Sequence, residues 1–196
     1  MHLLTISGFL GSGKTSLVIK LAEAATQKGL RAAVLVNEVG EIGIDDQLLR
    51  QLDMNVYELL SGCICCSLAA DLPGTLQKLA EDYKPDFVML EPSGVADLKK
   101  VLSALVYYRG EPLQSQRNIV IVDPLRLKQL ITVLTPLITS QINNADILLI
   151  NKTDVATEAE LKTCEQILSD LKPPGKLFRA SVKNGIAPDL IAELLP

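Results

Sequence analysis

The sequence predicts an α/β fold, a mostly parallel sheet with helices on both faces, on three observations. Seven short apolar runs alternate with longer helical patterns through 196 residues, the rhythm of a parallel sheet built from βα units. Those runs are continuously apolar rather than alternating, as in strands covered on both sides. A glycine-rich loop joins the first run directly to the first helical pattern.

Each element has its own signal. Predicted strand 3–7 leads through the glycine loop into helix 14–28, which Gly29 closes as a C-cap. Strand 32–37, helix 44–52 and strand 55–59 come next. Ser67 is a candidate N-cap for helix 67–82, which precedes strand 87–91 and helix 95–107. Gly110-Glu111-Pro112 reads as an exposed loop before strand 119–123. Asp123-Pro124 pairs an N-cap with a proline at the first helical position. Pro136 divides the next segment into helices 124–134 and 136–144, with Thr135 as the new cap. Strand 147–151 precedes helix 157–171, opened by a capping box of Thr157 and Glu160. Lys172-Pro173-Pro174-Gly175 turns into strand 177–180, and helix 185–195 closes the chain. No internal repeat or linker interrupts this order, so residues 1–196 are read as one domain.

Composition narrows the function. The chain has 19 basic and 23 acidic residues, net −4, with no basic stripe; nucleic acid is not the expected partner. Aromatics are 4%, too few for base-stacking platforms. No apolar stretch approaches the roughly 20 residues of a membrane helix. Residues 1–6 enter the glycine loop without a basic leader or cleavage site, so no signal peptide and a cytoplasmic location are expected. Thiols stay reduced there, so four cysteines read first as metal ligands or redox groups.

Gly8-Phe9-Leu10-Gly11-Ser12-Gly13-Lys14-Thr15 fits G-x-x-x-x-G-K-[ST] between a strand and a helix, which makes the expected fold a three-layer P-loop NTPase. Backbone N–H groups of Gly11, Ser12 and Gly13 would curl around phosphates at a helix N-terminus. Lys14 would reach the β- and γ-phosphates, Thr15 would put its hydroxyl on Mg²⁺, and Ser16 would reach the α-phosphate. Glu91 ends an apolar strand and is the candidate to contact Mg²⁺, through water; Gly94 would let the backbone approach the γ-phosphate. The competing readings are a chance glycine turn and an ordinary strand-end carboxylate.

Asn151-Lys152-Thr153-Asp154 fits N-K-x-D. The Asp154 carboxylate can accept from guanine's N1–H and exocyclic amine, whereas adenine offers it a lone pair; such polar pairing reaches roughly 10⁴-fold discrimination. Asn151 would tie the loop together and reach N7, the stem of Lys152 would lie on the base, and a backbone amide of Ser181-Val182-Lys183 would face the guanine oxygen. A helix cap at Asp154 is the alternative.

Cys63-Ile64-Cys65-Cys66 gathers three thiols in four residues, soft ligands suited to zinc. Three sulfurs leave one coordination position for a water, a carboxylate or a partner's ligand, as a transfer site requires. Glu38 and Glu41, just past the second strand, are candidate carboxylate ligands in a loop that could shift with the γ-phosphate. A buried turn and a thiol redox pair compete for the cysteines, and plain solvated charge competes for the glutamates. Cys164 reads as core, and His2 as no ligand.

In this order, Phe9–Thr15, Asn37-Glu38-Val39-Gly40-Glu41-Ile42-Gly43-Ile44-Asp45, Gly62-Cys63-Ile64-Cys65-Cys66, Glu91-Pro92-Ser93-Gly94 and Asn151–Asp154 resemble the CobW-type metallochaperone GTPases, relatives of the urease and hydrogenase nickel-accessory GTPases. The resemblance spans nearly the whole chain. It implies Mg²⁺-dependent GTP hydrolysis to GDP, a metal at the C-x-C-C cluster (zinc foremost, Co²⁺ or Fe²⁺ in some members) and delivery to a metal-requiring client; a GTP-dependent homodimer is a further expectation. The chain departs in ending one helix after Ser181-Val182-Lys183, where relatives carry a smaller C-terminal domain, and in having one histidine instead of a histidine-rich store. Catalytic roles fall to Lys14, Thr15 and Glu91. Turnover is expected to be slow, with no general base and no arginine supplied by a partner. Two rival readings remain: a nucleotide-gated regulatory module with structural zinc, and a metal-free redox-sensing NTPase. A small-molecule kinase is disfavoured by Asp154.

Overall fold

A computed structural model describes residues 1–36, 55–58 and 67–196, with side chains left out at 55–58 and 67–71. The described strands are β1 (His2–Gly8), β2 (Ala32–Val36), β3 (Asn55–Glu58), β4 (Phe87–Glu91), β5 (Ser115–Val122), β6 (Ile147–Ile150) and β7 (Lys176–Arg179). The described α-helices are α1 (Lys14–Gln27), α2 (Ser67–Asp82), α3 (Leu98–Ala104), α4 (Leu127–Asn143), α5 (Glu158–Asp170) and α6 (Pro188–Leu194). These strands form one seven-stranded sheet in the order β3-β2-β4-β1-β5-β6-β7, and every pairing is parallel. Predicted helix 44–52 lies outside the described residues.

Strand periodicity divides the core. Successive side chains point to opposite faces, so Leu4 and Ile6 pack with Val34, Met89, Ile119 and Leu149 against Leu17 and Leu21 of α1 and Leu190 of α6. Leu3, Leu35, Val88 and Leu90 face Leu72, Leu76 and Leu79 of α2. Val120, Val122, Leu148 and Ile150 face Ile138 of α4 and Leu161 of α5. Both faces are covered, which is why the sequence shows unbroken apolar runs. Each fully buried leucine contributes about 1.5–3 kcal/mol relative to an exposed one. Cys164 belongs to this core at 1% exposure, and burial pushes its thiol up to about 12.

Several boundaries have local causes. Gly29 takes φ 69° just past the cap of α1, with Gly29 N–H donating to Thr26 O and Leu30 N–H to Ala25 O, the paired bonds of a Schellman ending. Thr157 and Glu160 complete the predicted capping box. Other positions correct the reading. β5 begins at Ser115, earlier than 119, because polar Ser115–Asn118 pair with the start of β1. Helix 95–107 shrinks to α3 with a 3-10 turn at Leu105–Tyr107, since Asp97 caps it through Lys99 N–H. At Pro136 the break falls on Leu134 (φ −126°, ψ 33°) within α4; the Thr135 hydroxyl donates back to Ile131 O rather than capping a new helix. β7 is an exposed edge strand, not one buried on both faces.

Candidate functional site

β1 hands the chain to α1 through a loop whose backbone needs glycine. Gly13 sits at φ 106° as the N-cap of α1, and a Cβ there would lie 2.3 Å from Asn151 Nδ2. Gly8, at φ 138°, would place a Cβ 2.4 Å from Ile121 O. The loop therefore folds tightly onto β5 and the Asn151 loop, as close backbone approach to a ligand requires.

A cleft of about 420 Å³ opens at the carboxyl ends of the strands. Gly11, Gly13, Lys14, Thr15, Ser16 and Glu91 line one part of it; Asn151, Lys152, Asp154 and Val182 line another. Strand order puts these loops together: β4 and β5 flank β1, and β6 follows β5. This is the edge at which ligands bind in parallel sheets.

Lys14 is buried to 5% exposure. A buried ammonium is costly unless an anion faces it, and no carboxylate pairs with it among the described residues. The Thr15 hydroxyl donates to Glu91 Oε1 at 3.0 Å, with Glu91 7% exposed. A hydroxyl and a carboxylate converging beside a phosphate loop are the hard oxygen donors that Mg²⁺ takes. Gly94 packs on the loop itself: a Cβ there would lie 2.7 Å from Leu10 N. Sequence reasoning missed what holds it. Gln141 of α4, 2% exposed, donates from Nε2 to Gly94 O and Ala96 O.

The second half hangs on Asn151. Its Nδ2 donates to Ser12 O at 2.8 Å, and its Oδ1 accepts from Val182 N–H at 3.0 Å. One side chain thus ties the phosphate loop, the N-K-x-D loop and the segment after β7. That bond engages the Val182 amide within the protein, so the expected amide contact to a base does not fall to Val182. Ser181 contributes through its hydroxyl, which donates to Asp154 Oδ1 at 2.7 Å and holds the Asp154 carboxyl below the usual range. Asp154 is charged at neutral pH, as any exposed carboxylate is, and the lowered pKa moves the loss of that charge further into acid. Lys152 takes φ 60°.

Cys63, Cys65, Cys66, Glu38 and Glu41 lie outside the described residues. Among the described residues no group of three His, Cys, Asp or Glu could hold a metal ion. The strand ends that lead toward these residues are described: Val36 pairs with Glu91, and Glu58 with Val36. The chain therefore departs toward Glu38 and Cys63 from the same sheet edge that carries Glu91. His2 begins β1 with Nδ1 2.8 Å from Ser115 Oγ. No helix among the described residues is long and apolar enough to cross a membrane.

The profile of the family described as CobW/HypB/UreG, nucleotide-binding domain, matches residues 2–179. The zinc chaperone YeiR of Escherichia coli is 35% identical over 153 residues, covering 78% of this chain and 46% of its own length. The zinc chaperone YjiA of the same organism is 34% identical over 165 residues, covering 79% of this chain and 50% of its own. The chain thus spans about half the length of these curated relatives. Among solved structures, the hydrogenase maturation factor HypB of Archaeoglobus fulgidus superposes with a TM-score of 0.72 at 17% identity, over 99% of this chain and 88% of that one. That likeness shows a shared fold.

Proposed function

Because the chain belongs to the CobW/HypB/UreG nucleotide-binding domain family, we propose that residues 1–196 act as one GTP-binding and GTP-hydrolysing domain whose nucleotide state governs the holding and delivery of a divalent metal. The observation that carries the GTP half is one cleft in which Lys14, the Thr15–Glu91 pair and Asp154 converge. The metal half rests on the Cys63-Cys65-Cys66 cluster and on the zinc chaperones among the relatives.

Lys14 and the loop amides would bind phosphate oxygens and neutralise charge as it develops on the transferring group. Thr15 and Glu91 would hold Mg²⁺, which when bound supplies further positive charge at the phosphates. Asp154, held in place by the Ser181 hydroxyl, would accept from guanine's N1–H and amine. The one histidine, His2, begins β1, and turnover would be slow without a partner that supplies an arginine. Zinc is the first choice of cargo, with Co²⁺ or Fe²⁺ next, and a metal-requiring protein would receive it. The chain would work in the cytoplasm, and two copies would pair in the GTP state.

Phosphate release tests the enzymatic part. With Mg²⁺, GTP should be hydrolysed and ATP should not. Glu91→Gln loses turnover by about 10²-fold while still binding GTP, as expected for a group acting on the transition state rather than on binding. Equal hydrolysis of ATP, or an unimpaired Glu91→Gln, would overturn these assignments.

A further inference from the structure

The Lys152 ammonium meets Asp123, with Nζ 2.7 Å from Oδ2. The Asp123 side chain is 4% exposed and the Lys152 side chain 33%. Asp123 is itself fixed. Its Oδ1 accepts from Leu125 N–H at 3.0 Å, and its carbonyl accepts from Arg126 N–H and Leu127 N–H. Three residues on, Arg126 Nη1 donates to Leu10 O at 3.0 Å, and the same nitrogen lies 3.3 Å from where a Cβ on Gly11 would sit. A single turn after β5 thus grips the base loop with one side chain and the phosphate loop with another, while neither residue is among those lining the cleft.

We infer that Asp123-Pro124-Leu125-Arg126 is a positioning turn that sets the spacing between the two halves of the nucleotide site. A free lysine side chain carries substantial rotamer entropy. Pinning its ammonium removes much of that freedom before ligand arrives. It also draws the charge to one side and presents the methylene stem as an apolar shelf for the base. Arg126 holds the outer limb of the phosphate loop at a fixed distance from that shelf. The inference rests on the guanine reading of Asp154 and deepens it: Asp154 selects the base, and Asp123 fixes the surface on which the base lies.

The test is a double-mutant cycle read by titration with a fluorescent GDP analogue, with the matching ADP analogue alongside. Asp123→Asn keeps an acceptor for Leu125 N–H and nearly the same volume, and replaces the charged oxygen that accepts from Lys152 with an N–H donor. It is expected to weaken GDP by roughly tenfold, and Lys152→Met by a similar factor. The double variant should be no worse than the weaker single, because both remove one interaction. Lys152→Arg, which keeps the ion pair, should stay near the wild type. Lys152 is partly exposed, so its variants report even if Asp123→Asn folds poorly. A guanine-selective wild type with Asp123→Asn and Lys152→Met each within twofold, or with additive losses, overturns the positioning role alone. A wild type that binds the two analogues equally overturns the guanine reading and this inference with it.

Discussion

Lys14→Met is expected to lower GTP affinity by at least about 100-fold. The side chain is 5% exposed, starts α1 and lines the cleft. Hydrogen bonds to charged groups are worth about 1.5–3 kcal/mol each, so losing two phosphate contacts removes about 3 kcal/mol or more, and 1.4 kcal/mol is tenfold. Methionine keeps most of the apolar stem, so packing against the loop should survive. The ligand-free protein should be no less stable, since a buried charge without an anionic partner among the described residues is removed. Isothermal titration with GTP and thermal unfolding without nucleotide check the two halves. Unchanged GTP affinity would mean that phosphate does not sit on this loop.

The second large effect is a change of base. Asp154→Asn should weaken GTP by about 100-fold and favour xanthosine triphosphate, whose base offers a carbonyl where guanine has its amine. The reason is pairing: a carboxylate accepts both guanine donors, whereas an amide places an N–H against one of them and leaves buried polar groups mismatched. Ser181 sharpens the expectation. Its hydroxyl holds Asp154 Oδ1 at 2.7 Å, so the substituted amide keeps a partner and the loop should keep its shape. Competition between GTP and xanthosine triphosphate measures the switch; a retained guanine preference would remove Asp154 from the base site.

The phosphate and base loops are legible in the sequence because their signals are local. Gly13, Lys14 and Thr15 act within one turn of chain, and Asn151 to Asp154 within one loop after a buried strand. Asn151 reads as a tie within its own loop, and the structure gives it Ser12 O and Val182 N–H in two other segments as partners. Asp123, Arg126 and Gln141 are not legible as site residues. Their partners, Lys152, Leu10 and Gly94, lie 29, 116 and 47 residues away, and only the β5-β6 and β1-β5 pairings bring most of them together. Asp123 reads as a helix cap, but the N-cap of α4 is Arg126, and the Asp123 carboxylate instead accepts from Leu125 N–H in the turn before that helix; its ion pair has no sequence signature. Ser115–Asn118 fall outside the expected strand because they are polar, and register with β1 makes them strand all the same. The break expected at Thr135 falls one residue earlier, on Leu134.

Titration of the reduced protein with Co²⁺, followed through the thiolate-to-metal absorption band, tests the coupling of nucleotide and metal most directly. It is run once with GDP and once with a non-hydrolysable GTP analogue, and Zn²⁺ competition then gives the zinc affinity in each state. Metal affinity that differs between the two nucleotides by fivefold or more, a coupling of about 1 kcal/mol, is the predicted result. Identical affinities, or no thiolate band at all, would contradict it.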